Sequence, residues 1–446
     1  MSLGMLAGAR QPNIVFLYAD DLGYTDLSCQ GSNFYETPHI DRLAREGMTF
    51  TQAYAGAANC APSRACLMTG FYSPRHGIYT VGSSERGKAK HRKLIPVENK
   101  TILAARFETM AEALKGAGYR TCVAGKWHLS EDPTKDGFDA NFGGTTWGQP
   151  QSYFSPYKNP YLKDGPEGEH LPDRLGREVA GWIKENQKEP FFVYFPFYSV
   201  HTPIQAPAEL TAKYAQKKAD GSHDNPKYAA MIESMDAAVG RILETLDELD
   251  LAKETMVIFT SDNGPHGAIS RAEPLRGSKG MFYEGGIREP FLVRYPGRVA
   301  AGSKNETPIA QIDLYPTFLE LVGVEVPKSL DGVSLLPAFK GKTLPERSLF
   351  WHFPAYLQSY KPDPDSASKF FRTTPCGVIR RGDWKLIRYF EDDVVELYNL
   401  QEDLSERKNL VEAEPGKAKA LLKELEAWQV ATDAPIPNKR NPKYQE

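Results

Sequence analysis

Three segments of the chain are almost entirely apolar and run directly into polar residues: 13–19, 190–200 and 255–260. A strand that is apolar on both faces is typical of a parallel sheet covered by helices on each side. In open α/β sheets, ligands bind beyond the carboxyl ends of the strands. The three segments therefore predict an α/β fold whose functional residues follow directly after each strand.

Carboxylates and an amide stand at two of these strand ends. Asp20 and Asp21 follow the first segment, and Asp262 and Asn263 follow the third. Two adjacent carboxylates beside a core strand repel each other unless a cation lies between them, and oxygen ligands of this kind suit a hard divalent ion. The sequence therefore predicts one cation site built from these four side chains.

Patterns along the rest of the chain predict two unequal domains, since 446 residues exceed the size of one ordinary core. The larger domain, over residues 1–340, contains predicted helices over 38–50, 107–117, 226–249 and 313–321. It also contains a strand and turn over 118–128 and a loop-rich stretch over 130–180. A predicted linker over 327–345 spans the boundary between the two domains. The smaller, over 341–446, contains predicted antiparallel strands over 349–353, 376–380, 384–389 and 394–398 and a final helix over 416–430.

The segment from Cys60 to Gly70 carries the most specific pattern. Asn59 can cap a helix that starts at Cys60, which places Cys60 at the positive end of a helix dipole. Arg64 lies one turn along, so an anion could bind there. An arbitrary Cys-x-x-x-Arg is more often a buried cysteine beside a surface arginine, and a cysteine phosphatase needs five residues between the two.

Cys60-x-Pro-Ser-Arg64 followed by Leu67-x-Thr69-Gly70 resembles the signature of the type I sulfatases, within the alkaline phosphatase superfamily. The run 118–128, which ends in Lys126-Trp-His128, is similar to the second signature of that family. The resemblance extends over nearly the whole chain and is strongest over 13–290. It implies an α/β fold with a large mixed, mostly parallel sheet sandwiched by helices, and a smaller C-terminal α+β domain of antiparallel strands and a helix.

The resemblance also implies a sulfatase, arylsulfatase-like, that hydrolyses aryl or carbohydrate sulfate monoesters. Cys60 would be oxidised to formylglycine, whose hydrated diol supplies the nucleophile. One Ca²⁺ ion would be held by the four residues of the predicted cation site and by modified Cys60. The expected roles are to hold the diol (Arg64, Lys126), to remove a proton from it (His128) and to neutralise the departing alcohol (His201, Lys279).

Composition limits the partners. Fifty-four basic and 57 acidic residues give a net charge of −3, which provides no argument for nucleic acid or an anionic membrane, and no apolar run reaches membrane-spanning length. The expected partners are a sulfate ester and a formylglycine-generating or anaerobic sulfatase-maturating enzyme. Five cysteines do not form a disulfide framework. Residues 1–10 do not read as a signal peptide, and we expect an exported protein whose signal peptide is absent from this sequence.

Three other functions remain open at this point. A two-zinc phosphatase of the same superfamily would want a histidine beside Asp262, where Asn263 stands. A phosphonate or phosphate monoester hydrolase can share the formylglycine nucleophile, although the intervening Pro62-Ser63 favours the sulfatase. A non-catalytic protein that binds sulfated glycans is the third, and it would bind such esters without turnover.

Overall fold

The computed structural model describes residues 11–359, 365–366 and 368–445. Its strands are β1 Asn13–Ala19, β2 Met48–Tyr54, β3 Arg120–Ala124, β4 Ala140–Phe142, β5 Phe191–Pro196, β6 Thr255–Ser261, β7 Arg288–Arg294, β8 Ser303–Asn305, β9 Ile309–Ala310, β10 Ser348–Phe353, β11 Leu357–Gln358, β12 Phe371–Thr373, β13 Cys376–Arg381, β14 Trp384–Tyr389 and β15 Val394–Asn399. Its helices are α1 Pro38–Glu46, α2 Cys60–Thr69, α3 Ser73–His76, α4 Met110–Gly116, α5 Leu171–Asn186, α6 Ala208–Ala215, α7 Pro226–Glu248, α8 Glu284–Ile287, α9 Leu314–Leu321, α10 Leu336–Phe339 and α11 Pro415–Ala431.

The larger sheet has the order β4-β3-β5-β1-β6-β7-β2-β8 in the described part of the chain, with β9 also paired to β2. The five strands from β4 to β6 are parallel, and β7 runs antiparallel to both of its neighbours. The carboxyl ends of β3, β5, β1 and β6 therefore lie side by side at one edge of the sheet. The predicted mixed, mostly parallel sheet is confirmed.

Helices cover both faces of this sheet. Side chains alternate along β1, so that Val15 and Leu17 pack with α5 and α7 on one face, while Phe16 and Tyr18 pack with α2 and α9 on the other. Every residue of β1 is buried, as its uniformly apolar sequence predicts. The result is a three-layer arrangement in which α2, carrying Cys60, lies against one face.

The C-terminal part forms a second, antiparallel sheet with the order β10-β13-β14-β15 among the described residues. One face packs against α11 through Ile379, Leu386 and Leu425. The other face packs against the larger part, because Trp351 and Val378 share a core with residues of β2 and α8. The predicted four strands and final helix are confirmed, whereas the division at residue 340 stays a prediction.

Three expectations for the secondary structure were wrong. The helix predicted over 38–50 ends at Glu46, because Gly47 interrupts it and Met48 opens β2. The stretch over 130–180 is loop-rich only as far as residue 170, because its last ten residues belong to α5, whose apolar stripe is interleaved with charged residues. The linker predicted over 327–345 is packed, since Leu335 and Ala338 of the α10 region are fully buried.

No helix in the described part of the chain is both long enough and apolar enough to cross a bilayer.

Candidate active site

The candidate site lies at the edge of the sheet where the parallel strands end. Asp20 and Asp21 follow β1, Lys126 and His128 follow β3, His201 follows β5, and Asp262 and Asn263 follow β6. The antiparallel strand β7 begins at this same edge, so the loop that precedes it, with Lys279, also reaches the site. Since β2 runs parallel to β6, its end leads through residues 55–59 to Cys60.

Cys60 occupies the first turn of α2 and is 2% exposed. All ten residues of α2 are buried, so the helix is an internal element rather than a surface one. Asn59 precedes the helix but its side chain does not cap it, contrary to the expectation, and its Nδ2 donates to Thr80 Oγ1 instead. Burial raises the pKa of the Cys60 thiol, so the unmodified residue is a protonated thiol at neutral pH.

The three predicted cations each contact a predicted metal-binding carboxylate. Lys126 Nζ lies 2.8 and 2.7 Å from the two carboxylate oxygens of Asp20. Arg64 donates from Nε and Nη2 to Asp262 Oδ2 at 3.0 and 2.8 Å. All four of these side chains are fully buried, so the interactions are shielded from water and strong.

Lys279 lies between Cys60 and the carboxylates. Its Nζ lies 2.7 Å from Asp21 Oδ1 and 3.5 Å from Cys60 Sγ. The carboxylates of Asp21 and Asp20 raise the pKa of Lys279 against the opposing effect of burial, so its ammonium group stays charged. Lys279 also holds the pKa of the Asp21 carboxyl below its usual range.

The four predicted metal ligands converge. The backbone N–H of Asp21 donates to Asp262 Oδ1 at 3.1 Å, and Asn263 Nδ2 donates to Asp21 Oδ1 at 2.8 Å. Ligand atoms of Asp20, Asp21, Cys60 and His201 all lie within 4.8 Å of one another. Burial and the neighbouring carboxylates of Asp262 and Asp21 raise the pKa of Asp20, the response expected where negative charges crowd together.

The donor chemistry of this cluster fits a hard cation. Three carboxylates and an amide offer oxygen ligands, and Asn263 Oδ1 is buried without a hydrogen-bond partner among the described residues. A buried amide oxygen without a partner is costly, and coordination to a cation would satisfy it. The residues present therefore suit Ca²⁺ better than a softer ion such as Zn²⁺.

The two histidines differ in their surroundings. His201 Nε2 lies 3.7 Å from Asp21 Oδ2, and its Nδ1 lies 2.8 Å from the carbonyl oxygen of Thr202. His128 is buried, and its Nδ1 has no hydrogen-bond partner within the described ranges. Burial and the nearby Lys279 lower the pKa of His201 to about 3, and burial with Lys126 and Arg64 lowers the pKa of His128. Both imidazoles are therefore neutral.

A cavity of about 350 Å³ opens onto these groups. Cys60, His128, His201 and Lys279 line it, while Asp20, Asp262 and Arg64 lie beneath the surface. The sequence analysis does not single out four further polar residues of its wall, because each lies in a loop or short strand outside any recognisable signature: Arg86, Gln149, His266 and Arg372.

The fold and the cluster define the class: a hydrolytic enzyme with the alkaline-phosphatase-like architecture, acting on an anionic ester. Comparisons with known proteins give the family. The sulfatase family profile matches residues 12–324, and the profile for the C-terminal part of N-sulphoglucosamine sulphohydrolase matches residues 277–431. The chain belongs to the sulfatase family and is a sulfatase.

Similar proteins cover most of the chain. A sulfatase of Formosa agariphila is 34% identical over 96% of this chain and 90% of its own length. The N-acetylgalactosamine-6-sulfatase of Sus scrofa is 34% identical over 78% of this chain and 70% of its own, and the steryl-sulfatase of Mus musculus is 32% identical over 82% and 71%. The crystal structure of Ps i-CgsB in complex with k-i-k-neocarrahexaose superposes with a TM-score of 0.78 at 29% identity, covering 94% of this chain and 93% of the other.

Proposed function

We propose that the protein hydrolyses a carbohydrate sulfate monoester, with residue 60 in its formylglycine form and one calcium ion at the carboxylate cluster. The observation that carries this proposal is the position of Cys60. It lines the cavity at the start of α2, with Lys279 Nζ 3.5 Å from its Sγ and the carboxylates of Asp20 and Asp21 close by. A nucleophile built at this position faces both the bound ester and the charges that stabilise it.

The choice of a carbohydrate ester rests on relatives. One is named an N-acetylgalactosamine-6-sulfatase, and another was crystallised with a neocarrahexaose. Steryl-sulfatases match at similar identity, so an aryl or steryl sulfate is the alternative substrate. The cavity wall contains three histidines, a glutamine and three cations, which suits a sugar with several hydroxyl groups better than an apolar ring system.

The two absent groups would supply defined chemistry. Asp20, Asp21, Asp262 and Asn263 would hold the calcium ion, which would supply positive charge that polarises the sulfate oxygens. Formylglycine supplies a hydrated aldehyde, one oxygen of which is the nucleophile. Its formation requires a partner, a formylglycine-generating or anaerobic sulfatase-maturating enzyme. The protonated thiol of unmodified Cys60 is a poor nucleophile.

The proposed proton transfers are divided among side chains of the protein. Lys279 is charged and reaches residue 60, so it stabilises negative charge and can donate a proton to the departing alcohol. We also assign His201, which lines the same cavity, a share in this task, and because its imidazole is neutral in the resting site it must take up a proton before it can donate one. His128 is neutral with a free Nδ1 within the described ranges, so it can act as a general base. Arg64 and Lys126 lie beneath the cavity and neutralise the carboxylates that would otherwise repel an incoming sulfate.

The test compares two preparations of the protein, one shown by mass spectrometry to carry formylglycine at residue 60 and one carrying cysteine. We expect the first to release sulfate from N-acetylgalactosamine 6-sulfate over many turnovers and the second to be nearly inactive. 4-Nitrophenyl sulfate and the phosphonate monoester 4-nitrophenyl phenylphosphonate serve as comparison substrates. Faster turnover of the phosphonate would favour the phosphonate hydrolase, and binding without turnover would favour the glycan-binding protein.

Calcium is tested separately by unfolding. Dialysis against a chelator should lower the melting temperature, and added Ca²⁺ should restore it more effectively than equal Mg²⁺, because Mg²⁺ demands a smaller octahedral shell. The Asn263→Ala variant removes the unpartnered oxygen and should shift the Ca²⁺ titration to higher concentration. A melting temperature that is indifferent to chelator and to Ca²⁺ would contradict the calcium proposal.

A further inference from the structure

The wall of the active-site cavity is positively charged and contains no carboxylate among the described residues that line it. Its cations are Lys279, which lies beside the nucleophile position, and two arginines, Arg86 and Arg372. Lys279 is paired with Asp21 within the cluster, so its charge belongs to the reaction centre. The two arginines lie outside that cluster, and the hydrolysis of a sulfate ester as described above does not use them.

Arg86 is presented by a loop that is held in place. The guanidinium of Arg92 donates from Nη1 to the carbonyl oxygens of Glu85 and Gly87, each at 2.8 Å, and its Nη2 lies 2.9 Å from the Glu85 carboxylate. These contacts tie the backbone on both sides of Arg86. The Arg86 guanidinium itself forms no hydrogen bond or ion pair with the part of the chain that the structure describes.

The same loop packs against the strand that carries Arg372. A Cβ at Gly87 would lie 2.7 Å from the ring of Phe371 and 3.4 Å from Cβ of Gln358. Arg372 donates from Nε to the carbonyl oxygen of Gln358 at 3.2 Å and from Nη1 to that of Lys279 at 3.0 Å. Gly87, the residue after Arg86, and Arg372 therefore both lie against Gln358, and Arg372 is also bonded directly to the backbone of Lys279.

We propose that the substrate carries a second oxyanion, a sulfate or a carboxylate, which binds at Arg86 beside Arg372 while the reacting sulfate binds at residue 60. This inference rests on the proposed function, because it assigns a substrate class to the same site. The planar guanidinium of Arg86, carried by this anchored loop, matches the two-oxygen geometry of either group. The substrate class is therefore a multiply charged glycan, either polysulfated or containing a uronic acid.

The test uses three probes that share one cleavable sulfate. N-acetylgalactosamine 6-sulfate has a single anion, N-acetylgalactosamine 4,6-disulfate adds a sulfate, and the disaccharide of glucuronate with N-acetylgalactosamine 6-sulfate adds a carboxylate. The formylglycine-bearing protein should prefer at least one doubly charged probe in kcat/KM. Which of the two is preferred distinguishes the sulfate from the carboxylate.

Arg86→Gln should reduce that preference about tenfold, mainly through KM, as expected when one charge-assisted contact is lost. Arg298→Gln is the matched control, because Arg298 is an exposed arginine beyond the end of β7, at the opposite edge of the sheet. The inference would be overturned if both variants lost the preference for the doubly charged probe equally. It would also be overturned if Arg86→Gln left the ratio of kcat/KM for the doubly and singly charged probes unchanged.

Calorimetric titration separates this inference from the proposed function. Protein that carries unmodified Cys60 does not turn over, so its dissociation constants for the three probes report binding alone. Weaker binding of a doubly charged probe to Arg86→Gln, without any sulfate release by the modified protein, would support the subsite and contradict the proposed function. Sulfate release with equal dissociation constants for wild type and Arg86→Gln would support the function and overturn the subsite.

Discussion

Two predicted site residues have a backbone conformation that L-amino acids rarely adopt. Asp21 has φ of 60° and His128 has φ of 68°, both in the left-handed region. Hydrogen bonds from their backbone N–H groups help to hold them there, since His128 N donates to the backbone oxygen of Thr145 at 2.8 Å and Asp21 N donates to the side-chain Oδ1 of Asp262. Such conformations persist where the surroundings impose them, and they concentrate at functional sites.

Replacing each of the two histidines is expected to change the kinetics of hydrolysis in a different way. If His201 helps protonate the departing alcohol, His201→Ala should slow hydrolysis of sugar sulfates more than that of 4-nitrophenyl sulfate, whose phenolate departs unaided. If His128 acts as the base in the second half of the reaction, His128→Ala should release one equivalent of 4-nitrophenol in a burst and then slow by about 10²–10⁴-fold. Rapid-mixing kinetics with both substrates measures this.

Each histidine variant serves as the control for the other, because both lose a neutral imidazole from the same cavity. Equal losses on both substrates, with no burst in either variant, would contradict this division of roles.

A buried carboxyl away from the site should make stability depend on pH. Asp236 on α7 accepts hydrogen bonds from the backbone N–H groups of His39 and Ile40, and so caps α1, whose own Thr37 does not. Burial raises the pKa of Asp236 to about 7. Between about pH 4 and 7 the folded state binds more protons than the unfolded state, so the free energy of unfolding should fall as pH rises through this window, by roughly 2–4 kcal/mol in total.

The Asp236→Asn variant isolates this effect, because it removes the titration while keeping a side-chain acceptor. Urea denaturation of both proteins from pH 4.5 to 8 gives the comparison. The difference in unfolding free energy between wild type and Asp236→Asn should change across the window and level off above it. A constant difference would show that Asp236 is ionised throughout.

Residues whose neighbours along the chain form a signature could be assigned from the sequence, and isolated ones could not. Cys60, Arg64, Lys126 and His128 stand in such runs, and the structure places them around one edge of the sheet. Arg86 and Arg372 reach the cavity from parts of the chain almost 300 residues apart, through tertiary packing that no local pattern encodes. The roles assigned to the signature residues stay predictions.

At the scale of elements, the turn after β3 positions the Lys126–His128 segment. Gly125 has φ of +112°, and a Cβ there would lie 2.0 Å from the carbonyl oxygen of Pro196. Gly125→Ala should therefore destabilise the protein by about 3 kcal/mol or more, since both the backbone and β5 must shift. Gly118→Ala is the control at the other end of β3, where φ is +88° but no atom lies within 4 Å of the added Cβ.

Thermal unfolding of the two alanine variants measures the difference. Gly118→Ala should cost only the conformational term of about 1–2 kcal/mol. Similar melting temperatures for both variants would show that the turn after β3 can shift to accommodate the added Cβ at a lower cost in unfolding free energy than its contacts indicate.

A buried ion network joins the two sheets. Lys385 on β14 lies 3.0 Å from the Glu284 carboxylate of α8 and 2.9 Å from that of Glu406, and all three side chains are fully buried. Lys385→Met should destabilise the protein by about 3–5 kcal/mol, because it leaves two buried carboxylates without their shared cation. Denaturant titration gives this value directly.

The exposed pair Lys184–Glu248 offers a matched lysine substitution, with side chains 51% and 64% exposed. Lys184→Met should change stability by about 1 kcal/mol or less. Adding Glu406→Gln to Lys385→Met should restore part of the lost unfolding free energy. If the double variant is no more stable than Lys385→Met, the unpaired carboxylates are not the cause of the destabilisation.

The sequence predicts helix or strand correctly where the apolar residues form one clear pattern. The stripe of α7 and the apolar runs of β1, β5 and β6 are strong local signals, and each formed the expected element. The sequence does not predict β2, because Met48–Tyr54 continues the spacing of α1 past Gly47, and its pairing with β7, β8 and β9 fixes it as a strand. In such segments tertiary pairing decides between helix and strand.

At the scale of the whole molecule, the two parts share a core. Tyr54, Ala58 and Cys66 of the larger part pack with Trp351 and Val378 of the C-terminal sheet. We expect a single calorimetric unfolding transition, because neither part can expose that cluster alone without losing a large apolar area. Two resolved transitions would show instead that the parts behave as independent domains.

The complete burial of α2 has a consequence for the timing of the proposed modification. If a partner enzyme oxidises Cys60, it has to bind the chain segment around that residue, and in the folded protein every residue of this helix is buried. Oxidation of the cysteine would then compete with the completion of folding. A chain that folded first would keep its thiol for as long as it stayed folded, so the active fraction of a preparation would record which of the two processes was faster.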